Sequence, residues 1–170
     1  MKIAVISDSH DHKNNILKVI SIINERNVDA LIHCGDYVAP FVRKWFNELK
    51  EHIKTNFFGV FGNNDGEILF LKENLGQICK FPQNGNELIL ELGSKRIFVS
   101  HMPREQTIEA LGNSGNFDII LTGHTHILSN KKLDNGTLVI NPGEVCGYLT
   151  GKATFVIIDT EKMESEIIYL

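Results

Sequence analysis

The sequence predicts an α/β protein whose core is two β-sheets with helices on the outside. Three observations predict it. Five short apolar runs rich in Ile, Val, Leu and Phe read as buried strands. Through the first half these runs alternate with segments of helical periodicity, which implies parallel pairing with right-handed crossovers. In the second half strands follow one another closely and are joined by Gly-containing turns, the signature of hairpins.

Each element has its own warrant. Ile3–Ile6 is the first strand. From about Lys13 to Arg26, the residues Ile16, Val19, Ile20 and Ile23 recur at helical spacing. Ala30–Ile32 is the second strand. Pro40 then opens a helix carrying Phe41, Val42, Trp45, Phe46 and Leu49, because the N–H that proline lacks is unpaired in a first helical turn anyway. The Phe41–Trp45–Leu49 stripe is expected to be core. A third strand near Asn56–Phe61 precedes a short helix around Glu67–Glu73. Glu87–Leu92 and Arg96–Ser100 flank Gly93-Ser94-Lys95 as a hairpin, followed by a short helix near Arg104–Leu111 and the strand Asp118–Leu121. Asp134-Asn135-Gly136 is a turn before the strand Thr137–Ile140. Ala153–Asp159 and Ser165–Tyr169 complete the strands. No repeat, low-complexity tract or linker interrupts the chain, so residues 1–170 are expected to form one domain.

At 170 residues, folding buries roughly 70% of the unfolded surface, and the core needs no disulfide or structural metal. A net charge of −4 argues against a protein that coats nucleic acid, and no Lys/Arg run exceeds the pair Lys131-Lys132. Cys34, Cys79 and Cys146 are odd in number and form no C-x-x-C pair, which fits small buried hydrophobes in a reducing compartment. The first apolar run meets Asp8 too soon to be a signal peptide or a membrane span. The expected compartment is the cytoplasm, with no membrane association.

The chemistry lies where the apolar runs end. Ile3–Ile6 runs into Asp8 and His10; Ala30–Ile32 into His33, Cys34, Gly35 and Asp36; Phe57–Phe61 into Gly62, Asn63, Asn64 and Asp65. Arg96–Val99 leads to Ser100 and His101, and Ile119–Leu121 to Gly123, His124, Thr125 and His126. Ligands of open α/β sheets gather beyond the carboxyl ends of such strands. Asp8 and His10, like His124 and His126, are two residues apart, so an extended chain would project each pair to one side. Gly35 and Gly62 let the chain turn sharply beside Asp36 and Asn63. Two Asp, one Asn and four His supply nitrogen and oxygen donors without thiolate, a set suited to Mn²⁺, Fe²⁺, Co²⁺, Ni²⁺ or Zn²⁺. Seven donors are too many for one transition ion and suit two, with Asp36 the natural bridging carboxylate. Paired ions about 3.5–4 Å apart activate water and stabilise charge at phosphorus.

These motifs, in this order, resemble those of the calcineurin-like metallophosphoesterases: Asp-x-His, Gly-Asp, Gly-Asn-x-Asp, a lone His after a strand, and Gly-His-Thr-His. The length resembles the small YfcE-like phosphodiesterases of that superfamily, and the match runs from Lys2 to the Asn141-Pro142-Gly143 loop. The resemblance implies a four-layer αββα metallo-dependent phosphatase fold, two mixed sheets flanked by helices. It implies that Asp8, His10 and His126 bind one ion, that Asn63, His101 and His124 bind a second, and that Asp36 bridges them. Asp36, His101 and Asn64 are the expected catalytic positions. The implied activity is hydrolysis of a small phosphodiester by a metal-bridging hydroxide. The implied ions are Mn²⁺ first, with Ni²⁺, Co²⁺, Fe²⁺, Zn²⁺ or Mg²⁺ as alternatives. A homodimer accords with the family habit.

Asn64 departs from the commoner Gly-Asn-His-Asp pattern, whose His is thought to protonate the leaving oxygen or steady the phosphate. An amide hydrogen-bonds phosphoryl oxygen but donates no proton at neutral pH, so alkyl leaving groups are expected to suffer. Glu144 also departs, standing where many relatives have a small polar residue, and the sequence supplies no chemistry for it.

Plainer readings exist for single residues. Asp8 or Asp36 could cap a helix, and Asn63 and Asn64 could merely form a turn; only the joint pattern outweighs them. His33 is expected to pack at a strand end, His12 to face solvent, His52 to suit a helix end, Asp65 to orient a neighbouring ligand, and Asn141-Pro142-Gly143 to make a β-turn. Two other functions compete: a phosphomonoesterase or nucleotidase on the same site, and a non-catalytic scaffold. A monoester calls for extra cationic donors, and Arg104 is the lone Arg or Lys beside the motifs. The seven chemically competent ligand positions count against a scaffold.

Overall fold

Strand β1 (Lys2–Ile6) has its side chains divided between two cores, and that division organises the molecule. The computed structural model describes residues 1–83 and 86–170. Ile3 and Val5 point into an apolar layer shared with Ala30, Ile32, Val99, Ile119, Leu121, Ile140, Val156 and Ile158, the contact between the two sheets. Ala4 and Ile6 point the other way, onto Ile16, Val19, Ile20 and Ile23 of helix α1 (Lys13–Glu25). Period-two alternation with both faces buried explains why the strand reads as an unbroken apolar run.

The chain continues through β2 (Ala30–His33), a 3₁₀ turn (Pro40–Val42), α2 (Arg43–Phe46), α3 (Glu51–Lys54), β3 (Phe57–Gly59) and α4 (Ile68–Leu75). Then come β4 (Glu87–Leu92), β5 (Lys95–Ser100), α5 (Glu105–Asn113), β6 (Ile119–Leu121), β7 (Ser129–Lys132), β8 (Leu138–Asn141), β9 (Thr154–Asp159) and β10 (Glu164–Tyr169). One sheet has the order β10-β9-β1-β2-β3 and the other β4-β5-β6-β8-β7. Both are mixed: β1, β2 and β3 run parallel, as do β5, β6 and β8, while hairpin strands lie antiparallel at the edges. Helix α5 covers the outer face of the second sheet through Ile108 and Leu111, which pack on Phe98, Phe117 and Ile120. The architecture is the αββα sandwich expected. No helix among the described residues is long and apolar enough to cross a membrane.

Two expectations fail locally. The helix after Pro40 breaks into a 3₁₀ turn and two one-turn helices, and the side chain of Phe41 is 72% exposed. The buried positions are Val42, Phe46 and Leu49, whose i, i+4, i+7 spacing is the true helical stripe. Trp45 is only partly buried against it. His12 does not simply face solvent: its Nδ1 accepts the N–H of Asn15 at 3.2 Å and so caps α1, and its ring leans on Tyr148.

Candidate metal centre

All seven candidate ligands sit just beyond the carboxyl ends of parallel strands. Asp8 and His10 follow β1, Asp36 follows β2 and Asn63 follows β3, while His101 follows β5, and His124 and His126 follow β6. Backbone hydrogen bonds fasten the loops together, with the N–H of Asp8 donating to the Gly35 carbonyl and that of Gly123 to the His101 carbonyl, each at 3.0 Å. The loops are not extended, contrary to the spacing argument. Asp8, His10, Asp36, His124 and His126 all adopt left-handed backbone, with φ of 51°, 40°, 61°, 67° and 61°. Such conformations are uncommon outside Gly and cluster at functional sites. At these five residues the side chains converge because the loops after β1, β2 and β6 curl tightly, not because the chain is stretched.

The side chains form two lobes. In the first, the donor atoms of Asp8, His10, Asp36 and His126 all lie within 4.8 Å of one another. His126 Nε2 is 3.3 Å from Asp8 Oδ1, and the rings of His10 and His126 stack at 5.1 Å. In the second, Asn63 Oδ1 meets His101 Nε2 at 3.0 Å and His124 Nδ1 at 2.8 Å. Asp36 joins the lobes: its Oδ2 is 3.5 Å from His10 Nε2 and 3.5 Å from His101 Nε2.

This donor set fits a metal. Asp8 Oδ1 and His10 Nε2 are buried and have no hydrogen-bond partner, an arrangement that costs free energy unless something completes it. Burial raises the Asp8 carboxyl above its usual range, although Ser7, His101 and His126 oppose the shift. Burial also works against the charge on Asp36, but His101 and the two hydrogen bonds from Asn64 outweigh it and hold that carboxyl well below the ordinary range. His101 is opposed by burial too, and the Asp36 and Asp8 carboxylates raise its ring. Its Nδ1 is 2.8 Å from the Cys34 carbonyl, to which it can only donate, so the neutral ring turns an unprotonated Nε2 to the lobe.

Supporting residues explain the precision. The carboxylate of Asp65 accepts the N–H groups of Gly62 at 2.7 Å, Val38 at 2.8 Å and Asp36 at 3.2 Å, which is the orienting role expected of it. Gly35 has φ +103°, and a Cβ there would lie 2.7 Å from His101 Nδ1. At Gly62 a Cβ would collide with the Asp36 carboxylate. Asn141 holds the Gly123 carbonyl at 2.8 Å and caps Gly143 at 3.0 Å, so the Asn-Pro-Gly turn braces the His124–His126 loop. His33 is fully buried, stacked on Tyr37 and bonded to Ser9 Oγ at 3.0 Å. His52 reaches the Val28 carbonyl, far from the lobes. Asn64 lies at the rim and donates to Asp36.

The calcineurin-like phosphoesterase superfamily domain, as a family model, matches residues 1–163. The chain belongs to that superfamily. This calcineurin-like phosphoesterase is 43% identical over 170 residues to the phosphodiesterase MJ0936 of Methanocaldococcus jannaschii, spanning 100% of this chain and 99% of that protein. It superposes with TM-score 0.89 and 42% identity on a solved structure characterised as a novel archaeal phosphodiesterase, covering 100% of both chains. It shares its fold with the E. coli phosphoesterase YfcE, at TM-score 0.66 and 18% identity over 99% of this chain and 98% of that one.

One residue of this calcineurin-like phosphoesterase lacked any chemical reading in the sequence. Glu144 is wholly buried, and its Oε2 is 2.7 Å from His126 Nδ1. Its position after Asn141-Pro142-Gly143 marks it as unusual, but nothing in the sequence pairs it with a residue 18 positions earlier.

Proposed function

We propose that the chain is a metal-dependent phosphodiesterase that holds two divalent ions, Mn²⁺ foremost. Asp8, His10 and His126 hold one ion, Asn63, His101 and His124 the other, and Asp36 lies between them. The observation that carries this reading is the position of Asp36 Oδ2, 3.5 Å from a histidine of each lobe. The orphaned Asp8 Oδ1 and His10 Nε2 support it independently. Bound divalent ions would supply acidified water and counter-charge to oxygens on phosphorus.

The chain's own residues define what that site accepts. Two carboxylates against two divalent ions leave an excess of positive charge, which favours an anionic ester. His101 and His126 are positioned through Nδ1, by the Cys34 carbonyl and the Glu144 carboxylate, before substrate arrives, a preorganisation that lowers the reorganisation needed during reaction. Asn64, at the rim, has amide hydrogens and no transferable proton. Arg104, the lone Arg or Lys beside the motifs in sequence, is exposed at the start of α5 and offers the extra charge of a monoester no buried partner. This favours diesters over the monoesterase reading, and the intact donor set favours an enzyme over a scaffold. Residues 1–170 act as one domain in this reading, because both sheets contribute ligands. The three buried free thiols suit a reducing cytoplasm, and exposed Phe41, Leu69 and Phe70 suit a homodimer.

The test is hydrolysis of bis(p-nitrophenyl) phosphate by protein stripped with chelator and reloaded with Mn²⁺. The expected result is activity that needs the metal, exceeds that on p-nitrophenyl phosphate, and falls by at least ~10²-fold in Asp36→Asn with the fold intact by circular dichroism. Equal activity in Asp36→Asn, or none in the reloaded wild type, overturns the reading.

A further inference from the structure

We propose that Glu144 is a positioning residue for the metal centre: its carboxylate fixes the ring of His126 so that Nε2 faces Asp8. The inference rests on the metal-centre reading above and concerns a residue outside the ligand set.

The geometry is specific. His126 lies between two carboxylates, with Nδ1 2.7 Å from Glu144 Oε2 and Nε2 3.3 Å from Asp8 Oδ1. An ionised carboxylate accepts hydrogen bonds only, so Nδ1 must donate to it, and the neutral ring then carries its lone pair on Nε2. The Cys34 carbonyl does the same for His101 with a neutral group. Glu144 does it with a buried carboxylate, an arrangement that selects the tautomer and fixes the plane of the ring.

The chain is built to keep that charge. Oε1 accepts the Thr150 N–H at 2.6 Å and the Thr150 hydroxyl at 2.7 Å, while Oε2 also accepts the Cys146 thiol at 3.0 Å. The N–H of Leu149 lies 3.1 and 3.2 Å from the two oxygens. Burial opposes the charge, and these N–H, O–H and S–H donors, all directed at the carboxylate oxygens, compensate it. The same segment is pinned to the first strand's end, where the N–H groups of Val145 and Cys146 donate to the carbonyls of Ser7 and Asp8 at 3.0 and 3.1 Å. Glu144 therefore sets the distance between His126 and Asp8 as well as the ring's orientation.

A bland alternative is that Glu144 only organises the 146–150 turn. Calorimetric titration of Mn²⁺ into chelator-treated wild type, Glu144→Gln and Thr150→Val separates the two. Glu144→Gln is expected to weaken Mn²⁺ binding roughly 10–100-fold. Thr150→Val removes a turn contact to the same carboxylate but leaves the His126 bond, and is expected to change affinity less than about twofold. Unchanged affinity in Glu144→Gln, or an equal loss in Thr150→Val, overturns the assignment. Absence of Mn²⁺ binding in wild type removes the centre itself and the assignment with it. Because Glu144→Gln could fold poorly, the wild-type protein supplies a second readout. Nitrogen-15 shifts of the histidine rings in Zn²⁺-loaded protein are expected to show the proton of His126 on Nδ1. A proton on Nε2 overturns the proposal.

Discussion

Asn64 holds both oxygens of Asp36: its backbone N–H donates to Oδ1 at 2.8 Å and its side-chain amide to Oδ2 at 2.7 Å. The residue that replaces the usual histidine thus fixes the carboxylate shared by the two lobes, and it brings no proton for a leaving oxygen. Leaving-group pKa should therefore weigh heavily on the wild-type rate, with aryl diesters turned over well and alkyl diesters slowly. Asn64→His is expected to flatten that dependence, raising rates on alkyl diesters by ~10-fold or more, since general acid catalysis is worth 10²–10⁴-fold. Rates across a series of diesters provide the measurement, and coincident slopes for the two proteins would show that position 64 has no such role.

Gly35 sits where no other residue fits. With φ at +103° and a would-be Cβ 2.7 Å from His101 Nδ1 and 2.9 Å from the Gly62 nitrogen, Gly35→Ala adds both backbone strain and a clash. Urea denaturation should show a loss of about 2–3 kcal/mol. Gly66→Ala, whose Cβ meets nothing within 4 Å, should change stability by less than ~0.5 kcal/mol.

His33 imposes a pH dependence on the metal-free protein. Burial, reinforced by His101, pushes its ring well below the usual imidazole range despite Asp36. As pH falls, the unfolded chain takes up this proton near 6.5, before the folded one does. Stability from this group is therefore complete above about pH 6.5 and declines below it, by at most ~1.4 kcal/mol per unit. His101 is raised, so its contribution is complete below about 6.5 and fades above it. Thermal midpoints of chelator-treated protein should fall between pH 6.5 and 5, and His33→Gln should lessen that slope. An unchanged slope in His33→Gln would mean that the ring titrates normally.

Metal removal should destabilise. The loops of the two lobes bring Asp8 and Asp36 together with unpartnered polar atoms. Mn²⁺ at about 100 times its Kd adds about 2.7 kcal/mol for one site, or roughly 5–10 °C in Tm for a chain of this size. Differential scanning calorimetry with and without chelator measures it, and coincident transitions would count against metal binding by the native state.

Much of the fold was legible because its signals are local. The helix face Ile16, Val19, Ile20 and Ile23 is wholly buried, as its periodicity required. The Gly93-Ser94 turn takes left-handed φ at both residues, 58° and 60°, which suits a tight hairpin. The candidate ligands were legible because strand ends are visible as the points where apolar runs stop. What escaped detection depends on distance or on backbone conformation. Glu144 meets His126 across 18 residues, and no short-range pattern announces such a pair. The left-handed loops carry Asp and His, which tolerate that region, but tolerance in a sequence does not reveal use. Phe41 misled because one residue's offset moves a side chain about 100° around a helix, enough to turn an apparent stripe outward.

Four of the candidate ligands hang from one sheet and three from the other. Ions gripped by both sets would act as rivets through the sandwich, since sliding one sheet past its neighbour would tear the cage apart. Breathing motions of the two layers would then be locked in step, and deuterium uptake along their strands would become a gauge of occupancy.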